Sequence, residues 1–322
     1  MKYRNIPHTD LYPSVLCLGA LPFGVSQSEK SAFALMDRFF EGGGNFLDTA
    51  LVYGEWLPNG KGLSEKTVGK WVQAHRNRVD LVIGTKGAHP RLATMHIPRL
   101  SRDEIVSDLD ESLRNLKTDY VDLYWLHRDD PNRPVGEILQ TLNDQVRAGK
   151  IRCFGCSNWR VGRIREAQAY AVAHGLRGFA GNQLLWSLAV PNPAALWDPT
   201  MAAMDEETRQ YHLESGMAAM AYTSQAKGFF SKLNASSISE LSESLRESYE
   251  NEETLKRMSR LKKLSQELAL PVGVLSLAYL VSQPFPTFPI AACSTMEQLT
   301  ENLQAGDVEL VSSIVDYLER GE

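Results

Sequence analysis

Short apolar runs alternate with amphipathic helical stretches along the whole chain, and few folds can accept that pattern. The strand-like runs fall at 15–19, 45–50, 81–86, 121–127, 151–157, 181–185, 217–222 and 287–292, eight in all. Helical spacing occupies approximately 28–41, 63–75, 102–115, 135–148, 160–173, 204–214, 251–268 and 273–282, with a last helix beginning near Met296. In the first of these, Ala32, Leu35, Met36 and Phe39 fall on one face, and Gly42-Gly43-Gly44 ends it. Gly149-Lys150 and Gly175 read as further stops. Strands that are apolar throughout, each followed by a helix, indicate parallel βα units with both sheet faces covered.

Eight such units predict a closed (β/α)8 TIM barrel in one domain spanning 1–322. A barrel of this kind needs roughly 250 residues. The surplus goes into long loops at the C-terminal face, at 87–101, 187–203 and 224–250. The Ser-rich stretch 234–239 within the last is expected to be a mobile lid. Lys2 to Ile6, followed by the turn residues Pro7-His8-Thr9-Asp10, predicts a short N-terminal β-hairpin.

Charge and composition narrow the function. The net charge is −5 and the pI near 5.9, which disfavours nucleic acid and acidic membranes as partners. No apolar run approaches the ~18 residues of a membrane span, and Met1 to Pro7 lacks a signal-peptide core, so a cytoplasmic protein is expected. Cys153 and Cys156 form a C-x-x-C within a strand-like run. Residues three apart on a strand point to opposite faces, so this pair is expected to be core cysteines and not a redox or metal site. Nothing near them completes a zinc site, and no metal is expected.

Ionisable groups recur at consecutive strand ends. The second strand ends at Asp48, with Tyr53 in the loop beyond; the third ends at Lys86 and the fourth at His127. Singly, each has an ordinary role: a helix cap, a packed phenol, a solvated lysine, a hydrogen-bonded histidine. In a parallel barrel all strand C-termini share one face, where active sites sit, and four such groups on three adjacent strands make a site. The set suits proton delivery to a carbonyl. A free phenol titrates near ~10, and an adjacent ammonium is expected to lower that value. The ammonium needs a carboxylate to stay charged in a dry cavity. A neutral histidine can orient the carbonyl oxygen. Tyr53 would then donate the proton, Lys86 tune it, Asp48 hold Lys86, and His127 position the substrate, with hydride from a nicotinamide cofactor.

Asn45 to Gly54, Thr85-Lys86 and Leu126 to Pro131 resemble the signature segments of the aldo-keto reductases. So do Gly155 to Asn158, Asn182 to Ser187, Ala221 to Gly228 and Ile290 to Asn302, in the same order along nearly the whole chain. The resemblance implies the Asp48–Tyr53–Lys86–His127 catalytic set and an NADP(H) or NAD(H) site. It places Ser157, Asn158 and Gln183 at the nicotinamide carboxamide, Trp186 stacked on the nicotinamide ring, and Gly19 among the cofactor contacts. It assigns Tyr222, Ser224, Gln225 and Lys227 to the pyrophosphate. Cys293, Ser294, Thr295 and Gln298 would lie along the adenosine phosphate, with a helix N-terminus near Thr295, and Glu301 and Asn302 would hold the adenine.

The chain departs from the family at one place. Members that prefer NADPH usually carry Lys or Arg near the ribose phosphate, whereas Ala292, Ser294 and Gln298 here are uncharged. Weak discrimination between NADP(H) and NAD(H) is the expectation. The substrate is expected to be a small aldehyde, ketone or alcohol, walled by Trp56 and Leu57, Tyr124 and Trp125, and Phe229 and Phe230, with His89, Arg91 and Met95 in the loop after Lys86. Arg128 is expected to pair locally with Asp129 or Asp130. The protein would act as a monomer or homo-oligomer. A second reading is a slow, nicotinamide-binding regulatory subunit like the potassium-channel β subunits. A metal-dependent hydrolase lacks its ligands, and a Rossmann dehydrogenase lacks its G-x-G-x-x-G.

Overall fold

The computed structural model describes residues 1–321. Its strands are β1 (Cys17–Gly19), β2 (Phe46–Asp48), β3 (Val82–Gly87), β4 (Val121–Leu126), β5 (Ile151–Ser157), β6 (Gly181–Leu185), β7 (Ala218–Tyr222) and β8 (Thr287–Ala291). They pair in parallel and in sequence order, and β8 closes on β1. The helices are α1 (Glu29–Glu41), α2 (Leu63–His75), α3 (Arg102–Leu116), α4 (Val135–Arg147), α5 (Val161–Ala173), α6 (Glu206–Ser215), α7 (Phe229–Ala235), α8 (Glu243–Tyr249), α9 (Glu252–Leu268), α10 (Val272–Val281), α11 (Met296–Gln304) and α12 (Ser312–Arg320). This is the (β/α)8 barrel that the alternation predicts.

Local chemistry explains the boundaries. Ser101 and Glu104 form a reciprocal capping box that starts α3, and Ile105, Leu109 and Leu116 bury its inner face. Ser28, Asp205, Asn251 and Thr295 cap α1, α6, α9 and α11 in the simpler way. A left-handed residue, Ala269, stops α9, and Pro271 then opens α10, which is buried on all sides. Among the described residues no single helix is long and apolar enough to cross a membrane.

The core has two layers. Cys17, Phe46, Val82, Leu123, Trp125, Cys153, Ala218, Met220 and Phe288 fill the barrel interior. Larger clusters lie between the strands and the helices. Cys153 faces the interior and Cys156 the helix layer, the opposite faces expected of residues three apart on a strand. The N-terminal hairpin forms one antiparallel bridge, Tyr3 to Ser14, extended by Arg4 N–H to Pro13 O and Ile6 N–H to Leu11 O. Ile6 and Leu11 join the interior cluster at the strand N-termini, so the hairpin plugs the end opposite the strand C-termini.

Trp125 is not a pocket wall. Its indole lies wholly inside the barrel, and its strand neighbours in register are Lys86 and Gly155. A Cβ at Gly155 would sit 2.3 Å from Trp125 Cζ3, so glycine there is what admits the indole. Gly155→Ala is therefore expected to destabilise the fold by about 1–3 kcal/mol through overpacking. Urea unfolding measures this, and a change under about 0.5 kcal/mol would contradict the packing account. Tyr124 points the other way, towards α3, where its hydroxyl donates to Ile105 O at 3.4 Å.

The 234–239 segment expected to be a mobile lid ends α7 and enters a short turn at Ile238–Glu240, with Ser237 and Ser239 exposed, while the 224–250 loop around it is folded. That loop forms α7 and α8, and Phe229, Phe230, Leu233, Leu241, Leu245 and Tyr249 are buried with residues of α9 and α10. Apolar anchors every few residues outweigh the serine content, so Phe229 and Phe230 are core residues and not pocket walls.

Candidate active site

Asp48 ends β2, Lys86 is the penultimate residue of β3, and His127 follows β4 directly. Parallel pairing brings all three to the same end of the barrel. Tyr53 arrives on the turn after β2, which is anchored by Leu51 N–H to Lys86 O at 3.0 Å and Tyr53 N–H to Ala50 O at 3.1 Å. Gly54 permits this turn: its φ is +100°, and a Cβ would lie 2.5 Å from Gly60 O.

The side chains form one connected device. Lys86 Nζ donates to Asp48 Oδ2, to Thr49 O at 2.8 Å and to Tyr53 Oη at 3.1 Å. Gln183 Nε2 donates to the other carboxylate oxygen of Asp48 at 3.0 Å. Asp48 and Lys86 are almost completely buried. Burial pulls the ammonium down, but the Asp48 charge, the Tyr53 phenol and their hydrogen bonds outweigh it, so Lys86 is held above its ordinary value. Burial likewise pushes the Asp48 carboxyl up against the pull of Lys86. Three oxygen acceptors around Nζ and an amide donor on Asp48 favour the ionised pair.

Tyr53 departs from the sequence expectation. Burial raises its phenol above the usual tyrosine value, and the opposing pull of Lys86 does not overcome it. Tyr53 is thus a protonated acid throughout the neutral range. His127 packs edge-on to Tyr53, with ring centroids 6.1 Å apart. Burial, with His89, Arg128 and Lys86 nearby, drives its imidazole well below the usual histidine range, so it is neutral. Its Nδ1 is buried without a partner among the described residues.

A second arc of polar residues runs over β5 to β8. Asn158 Oδ1 accepts from Tyr222 Oη at 2.7 Å and from Ala202 N at 3.0 Å, while its amide donates to Ser157 Oγ at 3.1 Å and His127 O at 3.4 Å. The backbone of Asn158 is left-handed, φ 62°, which turns its side chain back across the strand ends. Gln225 and Asn302 exchange amide hydrogen bonds of 2.8 and 3.2 Å, and Asn302 also donates to Cys293 Sγ at 3.2 Å. Ser224 Oγ donates to Ile290 O at 2.8 Å. Thr295 caps α11, and Ser294 N–H donates to Gln298 Oε1 at 2.8 Å, leaving Ala292, Ser294, Thr295 and Gln298 exposed. Lys227 is exposed. Glu301 lies against the start of α10, its Oε1 2.6 Å from where a Gly273 Cβ would be. Gly19 is in register with Asp48 at the same end, beside Ile290 and Ala292.

Two expected residues lie elsewhere. Trp186 stacks on Phe285, with centroids 5.8 Å apart, and meets Tyr279 edge-on in the cluster shared with α9 and α10. It does not join the Tyr53 group; Tyr222, at the end of β7, is the aromatic ring wired to Asn158. Arg128 does not pair with Asp129 or Asp130. It reaches Asp198 at 3.5 Å, Thr200 Oγ1 at 2.9 Å and His127 O at 2.9 Å, while Asp129 pairs with Arg163 and Asp130 with Arg133. Asp198 stands 70 positions from Arg128 in an irregular loop, where no periodicity marks it. Trp56 is half exposed on the rim. Among the described residues no group of three or more His, Cys, Asp or Glu could hold a metal.

A parallel eight-stranded barrel with a Tyr–Lys–Asp chain and a neutral histidine at its C-terminal mouth defines a barrel oxidoreductase. The aldo/keto reductase family model matches residues 15–321, and the chain belongs to that family, an NAD(P)H-dependent oxidoreductase by class. It is 31% identical to the uncharacterized oxidoreductase YrpG of Bacillus subtilis, over 99% of this chain and 95% of that protein. It is 29% identical to norsolorinic acid reductase stcV of Emericella nidulans, over 97% and 79%. It is 27% identical to an aryl-alcohol dehydrogenase [NADP(+)] of Phanerodontia chrysosporium, over 98% and 85%. The thermostable aldo-keto reductase Tm1743, solved with the inhibitor epalrestat, shares the fold, with a TM-score of 0.72, 24% identity and 99% coverage of both chains.

Proposed function

We propose that this chain interconverts an aldehyde or ketone and the corresponding alcohol, with Tyr53 as the acid or base. The observation that carries this is Lys86 Nζ bonded to both the Asp48 carboxylate and the Tyr53 hydroxyl. In reduction, Tyr53 Oη donates its proton to the carbonyl oxygen, and the fixed ammonium stabilises the phenolate left behind. His127 holds the same oxygen by a hydrogen bond. Its buried Nδ1 has no partner among the described residues, and an unpaired lone pair costs less than an unpaired N–H, so the proton sits on Nε2, the donor this role requires.

The residues of the second arc fit a nicotinamide dinucleotide. Ser157, Asn158 and Gln183 offer amide and hydroxyl groups for the carboxamide, and Tyr222, in place of Trp186, offers the aromatic face. Ser224, Gln225 and Lys227 would meet the pyrophosphate. The first-turn amides of α11, with Ser294, Thr295 and Gln298, suit a phosphate, and Glu301 and Asn302 the adenine. When bound, the cofactor supplies hydride to the carbonyl carbon. The names of the two fungal relatives support a carbonyl or alcohol substrate, and one supports NADP.

The test is a panel of aldehydes and ketones followed at the reduced-nicotinamide absorbance with NADPH and NADH. Turnover of at least some members is expected, and none with either cofactor would refute the reading. Because no cation stands at Ala292, Ser294 or Gln298, kcat/KM for the two cofactors is expected to differ by less than about a hundredfold. An NADPH preference of several orders of magnitude would contradict that.

A further inference from the structure

A second imidazole stands beside the first. The His89 ring, on the loop after β3, lies 4.6 Å from the His127 ring, edge to face, and is almost fully buried. Its loop is pinned: Ala88 N–H donates to Asp108 Oδ2 at 2.8 Å, and Arg99 donates both to His89 O and to Asp108, each at 3.0 Å. A buried ring on so constrained a loop has a set orientation.

Its tautomer is set as well. His89 Nδ1 lies 2.6 Å from Pro90 O, a pure acceptor, so Nδ1 carries the proton and Nε2 carries the lone pair. Among the described residues His89 Nε2 has no hydrogen-bond partner, and it is not sealed among the fully buried unpaired atoms. Protonating it is unfavourable: burial and the neighbouring Arg128 guanidinium push the imidazole down to about 4, against the weaker pull of Asp198. The two histidines therefore hold opposite tautomers. His127 offers an N–H, and His89, against it, offers a lone pair.

A plain aldehyde or ketone uses only the first of these, because its oxygen can accept but not donate. We infer that His89 is a substrate-positioning residue that accepts a hydrogen bond from a hydroxyl on the carbon next to the carbonyl, so that the site prefers α-hydroxy aldehydes and ketones. The inference rests on the carbonyl-reducing reading above. With the carbonyl oxygen held by Tyr53 and His127, the neighbouring carbon's hydroxyl turns towards His89 Nε2. Arg128 is occupied by Asp198, Thr200 and the His127 carbonyl, so no free cation at this wall calls for an anionic substrate.

The experiment compares matched ketones, acetophenone with 2-hydroxyacetophenone and 2-butanone with 1-hydroxy-2-butanone, in the full-length protein with the better cofactor. The wild type is expected to favour the hydroxylated member of each pair by about tenfold or more in kcat/KM. His89→Phe keeps the ring packing and removes the acceptor, and should collapse that ratio towards one. His89→Gln, which restores an acceptor, should recover part of it. A wild-type ratio near one, or a ratio unchanged in His89→Phe, overturns the inference while leaving carbonyl reduction intact. Equal loss on both members of a pair assigns His89 a purely structural role and overturns it too. Absence of turnover on every ketone and aldehyde refutes the carbonyl-reducing reading itself, a distinct result.

Discussion

Tyr53→Phe is expected to lose carbonyl reduction by about a thousandfold, with nicotinamide-dinucleotide binding retained. The size follows from removing a positioned general acid, which contributes roughly 10²–10⁴-fold. The selectivity follows from the packing. A phenyl ring keeps the contacts of Tyr53, including the face over which Lys86 Nζ sits 4.9 Å from the centroid and the edge-on contact with His127. Only the hydroxyl bonded to Nζ is deleted. Steady-state kinetics and cofactor titration by fluorescence measure the two halves. Activity within tenfold of wild type would remove Tyr53 from the acid role. Because burial holds the phenol above its ordinary value, the reduction rate should also stay level from pH 7 upwards, declining only where the phenol itself titrates.

Lys86→Met is expected to damage both activity and the fold. It strands the Asp48 carboxylate in the barrel with Gln183 as its remaining side-chain donor, and an uncompensated buried charge costs about 3–5 kcal/mol. It also deletes the interactions that pull the phenol down, so Tyr53 becomes a still weaker acid. The double variant Asp48→Asn/Lys86→Met removes the stranded charge and should regain about 2 kcal/mol or more of the lost stability without regaining activity. Urea unfolding of the four members of the cycle measures the coupling. A single variant as stable as wild type, or additive effects in the double, would show that Asp48 and Lys86 do not form the ion pair described.

The strand ends were the legible part of the site. Asp48, Lys86 and His127 each close an apolar run, and the parallel topology implied by alternating strands and helices places such residues at one mouth. Tyr53 was legible because the turn carrying it is short. Residues whose partners lie far along the chain were not. Arg128 beside Asp129 and Asp130 looks like a local ion pair, yet its guanidinium reaches Asp198 in another loop. Tyr222 is the last residue of β7, whereas Trp186 follows β6 and packs outward on Phe285. Strand periodicity sets on which side of the sheet a side chain lies only while the strand lasts, and Trp186 stands one residue beyond β6. Phe229 and Phe230 misled for a compositional reason: serine is the commonest residue of the loop that holds them, while a few buried aromatics and leucines dominate its energy.

The sequence by itself therefore determined the barrel, its strand order and which four residues meet at its mouth, Asp48, Tyr53, Lys86 and His127, because periodicity and strand polarity are local properties that a closed parallel sheet turns into a shared address. Only the tertiary structure decided the balance of forces at that address. Whether burial or Lys86 governs the Tyr53 phenol depends on how completely the barrel removes water. Whether His127 and His89 present a proton or a lone pair depends on partners, or their absence, on other loops. Desolvation and hydrogen-bond pairing act across space between segments distant in the chain, so no spacing within the chain encodes them directly.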